Sequence, residues 1–96
     1  MILSFGDEAA EDLFHGENTK AARRIPVLIW KTACRKLDML NAAHELRDVA
    51  APPGNRLEVL RGLWAGRHSI RINDRFRIVF RWKDGSAHEV RITDYH

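Results

Sequence analysis

The sequence predicts an α+β domain in which two N-terminal helices pack on one face of a small, mainly antiparallel, twisted sheet. Residues 7–43 place apolar side chains three and four positions apart, which is typical of helices with one buried face. Residues 56–94 mostly alternate polar and apolar side chains, which is typical of half-buried strands. Ninety-six residues suffice for one modest core, so we expect a single domain over residues 1–96.

The helical half follows a short apolar run at residues 2–5, which we interpret as a first strand buried beside the later hairpin. Residues 7–14 carry acidic side chains early and predict a short helix that ends at His15-Gly16. Pro26 suits the first turn of a second helix, which continues to about Ala43. The expected order of elements is therefore β-α-α-β-β-β.

The strand half begins after the breaker APPGN at residues 51–55. Residues 56–60 then alternate, and this pattern predicts that Leu57 and Val59 point inward. Trp64 follows in a loop between two glycines, where it is either a surface anchor or a plug that packs the loop.

The stretch RHSIRINDRFRIVFRW at residues 67–82 predicts the central hairpin. Both of its apolar rows must lie on the same side, because a shift of one residue would expose all of them. A three-residue turn at 73–75 meets this requirement, since it pairs Ile72 with Phe76 and Ile70 with Ile78.

The same register gathers arginines on the opposite side of the hairpin, where Arg71 pairs with Arg77 and Arg67 pairs with Arg81. We call this side the arginine face and expect it to be uncovered. It carries Arg67, Ser69, Arg71, Arg77, Val79 and Arg81.

A second hairpin follows, and matching of its apolar rows predicts a three-residue turn at 84–86. The chain then stops at Asp94-Tyr95-His96, just beyond the strand that neighbours Arg77. The pairs expected in this register are Phe80 with Val90, Ile78 with Ile92, Arg81 with Glu89, Arg77 with Thr93 and Trp82 with His88.

The distribution of charge points to a polyanionic partner. Residues 1–55 hold seven Lys/Arg against eight Asp/Glu, whereas residues 56–91 hold nine against four, and eight of those nine are arginines. The planar fork of arginine suits phosphate. No apolar run is long enough to span a membrane, and the single cysteine, Cys34, fits a reducing cytoplasm.

Two interpretations of the arginine face remain open at this stage. An anion could bridge Arg71 and Arg77, because like charges opposite each other destabilise a sheet. Alternatively, Glu58, Glu89 and Asp94 simply neutralise the arginines on a solvated face.

The terminal pair Tyr95-His96 is either a frayed end without a role or part of a site beside Arg77. His96 titrates near neutrality and could move a proton, and Tyr95 could stack on an unpaired base. The histidines lack the spacing of metal ligands, so we expect no metal and no cofactor.

Taken together, several fragments resemble the HigB, or proteic killer, branch of the RelE/ParE toxins. Each fragment is short, but their order and spacing are specific and extend over nearly the whole chain. They are PPGNRLE at 52–58, LRG at 60–62, SIRINDRFRIVFRW at 69–82, DG at 84–85 and DYH at 94–96, with SF at 4–5, RKL at 35–37 and LNAA at 40–43 before them.

The resemblance implies a metal-independent, ribosome-dependent endoribonuclease that cuts mRNA by attack of a ribose 2′-OH on the adjacent phosphate. Arg77 would stabilise the phosphate, Arg61 would be a second basic contact, and the general base would be Glu58 or His96. Glu58 stands where some relatives have a histidine, so the base stays open. Asp94, Tyr95 and His96 would form the C-terminal group of the site, and the remaining arginines of the first hairpin would hold RNA phosphates: Arg67, Arg71, Arg75 and Arg81.

The resemblance also implies a helix-turn-helix antitoxin of the HigA type, and contact with operator DNA only through that antitoxin. Two other functions fit the same surface. One is a gyrase-inhibiting toxin of the ParE kind without catalysis, and the other is an RNA-binding or ribosome-binding module that grips phosphates without cutting.

Overall fold

The computed structural model describes residues 1–94 and confirms the α+β class. Within these residues the strands form an antiparallel sheet in the order β1-β2-β3-β4. The helices are α1 (Glu8–Phe14), α2 (Trp30–Ala42) and α3 (Leu46–Ala50). The strands are β1 (Glu58–Val59), β2 (His68–Arg71), β3 (Phe76–Lys83) and β4 (Ser86–Asp94). Short 3₁₀ turns lie at Ala22–Arg24, Val27–Ile29, Pro53–Asn55 and Gly62–Trp64.

Helix α1 begins where the sequence supplies a cap. The Asp7 carboxylate accepts a hydrogen bond from the backbone N–H of Ala10 at 2.8 Å and satisfies one of the unpaired donors of the first turn. The other carboxylate oxygen of Asp7 accepts from the N–H of Ile92 in β4 at 3.3 Å. A single side chain therefore both starts the helix and ties it to the sheet.

Helix α2 supplies most of the helical side of the core. Ala33, Leu37 and Leu40 are buried, and they share one cluster with Ile70 and Phe80 from the sheet. The α-helix starts at Trp30 rather than at Pro26, because the residues after the proline form a 3₁₀ turn first. The expected helical layer over the apolar side of the hairpin is confirmed.

The register of the first hairpin is as expected. Ile70 lies opposite Ile78, Arg71 lies opposite Arg77, and the N–H of Ile72 donates to the Phe76 carbonyl at 2.9 Å. The side-chain oxygen of Asn73 stabilises the turn by accepting from the N–H of Phe76 at 2.7 Å.

The expected register of the second hairpin is wrong near its turn. The turn has two residues, Asp84 and Gly85, with φ of 52° and 74°, which is the left-handed backbone that a tight hairpin turn requires. Glu89, with φ of 52°, then forms a bulge that restores the expected pairing farther along. The observed pairs are Lys83 with Ser86, Trp82 with Ala87, Arg81 with His88, Val79 with Arg91, Ile78 with Ile92 and Arg77 with Thr93.

The apolar run at residues 2–5 does not form a full strand. Ile2 and Phe5 make isolated parallel bridges with Ala87 and Val90 of β4. The run thus extends the sheet beyond β4, on the side away from the first hairpin. With these bridges counted as a first strand, the order is β-α-α-α-β-β-β-β, so the expected order β-α-α-β-β-β lacks the short helix α3 and one of the strands.

The expectation for Val59 is also wrong. Its side chain is 69% exposed, and the buried side chain is that of Leu60, the next residue. Val59 is the last residue of β1, a two-residue strand at the edge of the sheet that pairs with β2 alone, so its side chain is left uncovered. None of the helices within residues 1–94 is long and apolar enough to cross a membrane.

The Asp7 cap gives a test of the fold. We expect Asp7→Ala to lower the free energy of unfolding by about 1 kcal/mol, because the first turn of α1 loses its cap. In a domain of this size that loss corresponds to a fall in Tm of about 4–8 °C. Asp7→Asn keeps an oxygen acceptor and serves as the control in thermal unfolding. Equal Tm values for the two variants would contradict this role of the cap.

Candidate active site

Arg77 is the centre of the candidate site, and it is buried rather than displayed. Only 8% of the residue is exposed, although the sequence predicts an uncovered arginine face. Its Nε donates to the hydroxyl of Ser69 at 2.7 Å, and its Nη2 donates to the carbonyl of Arg56 at 2.7 Å. These bonds fix the plane of the guanidinium before any ligand arrives.

Glu58 lies at the Nη1 corner of the same guanidinium. Its Oε1 is 3.8 Å from Nη1 of Arg77, and its side chain is 53% exposed. The carboxylate therefore lies between the buried guanidinium and solvent. The structure brings Glu58 and Arg77 together as expected.

The other two carboxylates of the arginine face also contact arginines. Asp94 accepts from Arg75 at 2.7 Å, and Glu89 accepts from Arg81 at 2.6 Å. The bond to Asp94 raises the pKa of Arg75 above its usual value. Arg71 pairs with Asp74 in the hairpin turn, so each of the two facing arginines has a carboxylate of its own. At these contacts the carboxylates neutralise the arginines, as the second of the two interpretations expects.

The C-terminal end of β4 lies beside the central arginine. Thr93 is opposite Arg77, and Asp94 is opposite Phe76. The tail residues Tyr95 and His96 lie outside the described residues, so their place in the site stays a prediction. Arg61 is exposed and directly precedes the 3₁₀ turn Gly62–Trp64.

The far end of the arginine face is covered by the loop that precedes β2. The guanidinium groups of Arg67 and Arg91 lie 5.1 and 5.5 Å from the centroid of the Trp64 ring, within the range of a cation–π contact. Val79, in the middle of the face, is fully buried. Trp64 is therefore a plug rather than an exposed anchor, and the expectation of an uncovered face is wrong here.

Three residues near the site are not among those that the sequence predicts for it. Alternation places Ser69 on the arginine face without giving it a role, and Arg91 also stands at an outward position of its strand, so the same pattern could have indicated it. Lys36 is buried under the sheet edge, and its ammonium donates to the carbonyls of Arg71 and, at 3.4 Å, Gly54. The feature of the sequence that could have indicated its burial is that this lysine lies within the apolar stripe of α2.

His68, at an inward position of β2, packs against a neighbouring strand. His68 stacks on Phe80 with 6.0 Å between ring centroids, and burial lowers the pKa of its imidazole. The neutral form is therefore favoured, and the residue serves packing.

Comparison with known proteins identifies the family. A family model described as a RelE-like toxin of the type II toxin-antitoxin system HigB matches residues 3–96. The chain belongs to this family. It is 42% identical over 87 residues to Toxin HigB-1 of Vibrio cholerae, a match that covers 91% of this chain and 90% of that protein. It is 31% identical over 67 residues to an uncharacterized protein of Haemophilus influenzae, covering 70% of this chain and 66% of that protein.

A solved structure supports the fold. A chain in the YoeB-YefM complex from Staphylococcus aureus matches with a TM-score of 0.60 at 18% identity, covering 100% of this chain and 98% of that one. The resemblance to the RelE superfamily and its HigB branch is thus confirmed, and the chain is a HigB-like toxin of a type II toxin-antitoxin system.

The bond between Ser69 and Arg77 gives a second test. We expect Ser69→Ala to lower the free energy of unfolding by about 1–3 kcal/mol, because the Nε–H of Arg77 loses its acceptor in a buried position. Urea unfolding measures this loss. Ser86→Ala, at the start of β4, is the control and should change stability much less. If the two variants unfold at the same urea midpoint, the Ser69 hydroxyl does not hold Arg77.

Proposed function

We propose that this HigB-like toxin is a ribosome-dependent endoribonuclease that inhibits translation by cutting mRNA. The observation that supports this best is the arrangement at Arg77. A permanently charged guanidinium is fixed by Ser69 and Arg56, and a half-exposed carboxylate of Glu58 stands at its outer corner. A fixed cation next to a potential proton acceptor suits attack on a phosphodiester.

In the proposed reaction, the ribose 2′-OH attacks the adjacent phosphorus while a base removes its proton. The P–O5′ bond breaks, the upstream fragment keeps a 2′,3′-cyclic phosphate, and an acid returns a proton to the leaving oxygen. Arg77 stabilises the charge that develops on the phosphate oxygens, and Arg61 is a second basic contact. No metal takes part in this proposal.

The proton carriers come from two parts of the chain. Glu58 already neighbours Arg77 and is one candidate for the base, and His96 is the other. Asp94 and Tyr95 complete the C-terminal group. Binding of the RNA backbone is assigned to the arginines of the first hairpin: Arg67, Arg71, Arg75 and Arg81.

The partners follow from the same proposal. We infer that a HigA-like helix-turn-helix antitoxin neutralises the toxin, and that the toxin meets operator DNA only through this antitoxin. The substrate is mRNA on the ribosome, and the site of action is the cytoplasm.

The role of Arg77 can be tested directly. We expect Arg77→Ala to lower the rate of mRNA cleavage on ribosomes by about two to three orders of magnitude, because the developing charge loses a fixed donor. Primer extension on a defined mRNA measures the rate, and circular dichroism checks the fold. Arg23→Ala removes an exposed arginine on the helical side and should leave cleavage unchanged.

The outcomes separate the proposal from the two alternatives. A folded Arg77→Ala variant that cuts at the wild-type rate would remove Arg77 from the site. Intact transcripts together with DNA breaks after induction of the wild type would favour a gyrase-inhibiting toxin instead. Salt-dependent RNA binding without any cleavage would favour a plain binding module.

The C-terminal group needs its own test. We expect deletion of Tyr95 and His96 to abolish growth arrest, because the reaction loses a proton carrier while all the described core residues remain in the chain. Growth after induction is compared at equal protein abundance, and retained binding of the antitoxin shows that the shortened chain is folded. A truncated protein that still arrests growth would exclude both residues from the mechanism.

A further inference from the structure

Lys36 is a buried cation that the proposed reaction does not use. It lies on the core side of α2, between the buried residues Ala33 and Leu40, and only 6% of it is exposed. Within residues 1–94, the bonds of its ammonium go to two carbonyl oxygens, those of Arg71 and Gly54. Removing a lysine from water is unfavourable unless its charge is well solvated by such groups.

The surroundings of Lys36 add to that cost. Burial lowers the pKa of its ammonium, and the nearby cations Arg35, Arg71 and Arg77 lower it further. An apolar side chain of similar length would fill the same space without carrying a charge, and such replacements of buried charges are often neutral or stabilising. The position therefore favours a role for the ammonium beyond filling the core.

The two carbonyls that Lys36 bonds belong to the two segments that flank Arg77. Arg71 lies directly opposite Arg77 in the sheet. Gly54 lies in the 3₁₀ turn Pro53–Asn55, whose next residue, Arg56, provides the carbonyl that holds Nη2 of Arg77. Lys36 thus fastens the end of β2 to the turn from which the Arg77 acceptor projects.

The turn needs these additional hydrogen bonds because the backbone of Arg56, the residue that follows it, is strained. Arg56 has φ of 45° and ψ of 60°, a left-handed conformation that non-glycine residues rarely adopt. Asn55 anchors the segment on its other side, since its buried amide donates to the carbonyl of Val49 at 2.9 Å. Without both anchors, the Arg56 carbonyl could turn away from Arg77.

We propose that Lys36 is a positioning residue for Arg77: by holding the Gly54 and Arg71 carbonyls, it fixes the Arg56 carbonyl that orients the Arg77 guanidinium. Lys36 does not touch RNA. This inference rests on the proposed function for its effect on turnover, but the placement of Arg77 is measurable without any substrate.

The first test is spectroscopic and needs no RNA. In protein labelled with ¹⁵N-arginine, the Nε–H signal of Arg77 is assigned by its loss in Arg77→Ala. In the wild type we expect slow exchange of this proton with water, because Nε is buried and bonded to Ser69. In Lys36→Met we expect exchange at least about 10-fold faster. The control is Lys31→Met, which removes an exposed lysine from the same helix and should leave the signal unchanged.

The second test measures turnover on ribosomes carrying a defined mRNA. We expect Lys36→Met to lower kcat by about 10- to 100-fold, as small displacements of a positioned group commonly do, with KM changed less than about 3-fold. In the Arg77→Ala background, Lys36→Met should lower kcat no further, because the group that it positions is already absent. A general loss of stability would instead lower activity in both backgrounds.

The outcomes distinguish this inference from the proposed function. If the wild type cuts no mRNA, the proposed function fails, while the exchange measurement still decides whether Lys36 positions Arg77. If the wild type cuts mRNA and Lys36→Met leaves both kcat and the Arg77 signal unchanged, the inference is overturned. Lys36→Gln, which keeps a donor without the charge, is measured if Lys36→Met does not fold. If neither variant folds, Lys36 is a requirement of the fold and not a positioning residue.

Discussion

The structure depends on how it satisfies one buried guanidinium. Arginine stays charged at all relevant pH values and carries five N–H donors in one plane. Arg77 lies in a central strand of the sheet and is 8% exposed, so its donors must meet acceptors from the protein. Among these acceptors are the Ser69 hydroxyl of β2, the Arg56 carbonyl of the preceding turn and, more distantly, the Glu58 carboxylate of β1. One side chain therefore links the register of three strands to the conformation of a turn.

The register of the central hairpin could be predicted from the sequence, whereas that of the second hairpin could be predicted only in part. In the first hairpin, a single register both buries the isoleucines and fits the Asn73 turn, and the structure adopts it. In the second hairpin, matching of the apolar rows predicts a three-residue turn only if neither strand contains a bulge. The bulge at Glu89 permits the two-residue Asp84-Gly85 turn and still returns Ile92 to the core. The Asp-Gly pair, itself a strong signal for such a turn, gave the better indication.

The candidate site was predictable in its location but not in its exposure. Alternation along the strands placed Arg77 beside Arg71 and near Glu58, and the structure agrees. No periodic pattern could show that the loop before β2 folds over the arginine face. Trp64 in that loop contacts the nearby Arg67 and, through a tertiary contact, Arg91 of β4. The sequence does not predict the burial of Lys36, for a related reason. A lysine in an apolar stripe is usually assumed to extend its ammonium into water, and only the fold shows which carbonyls it meets instead.

The arginines of the first hairpin are not equivalent in what they can offer a phosphate. Arg75 and Arg81 are each within 2.7 Å of a carboxylate, and the Arg75 side chain is 60% exposed, so in the proposed function an RNA phosphate would have to displace an existing ion pair in water to bind them. Exchange of one anionic partner for another in solvent changes the free energy little. Arg77 differs because it is buried and its Nε and Nη2 donate to the Ser69 hydroxyl and the Arg56 carbonyl, which set the plane of the guanidinium; Glu58 lies 3.8 Å from its Nη1. A phosphate at that corner would meet a charge that is already oriented and largely removed from water, which is the condition under which an electrostatic contact is strongest.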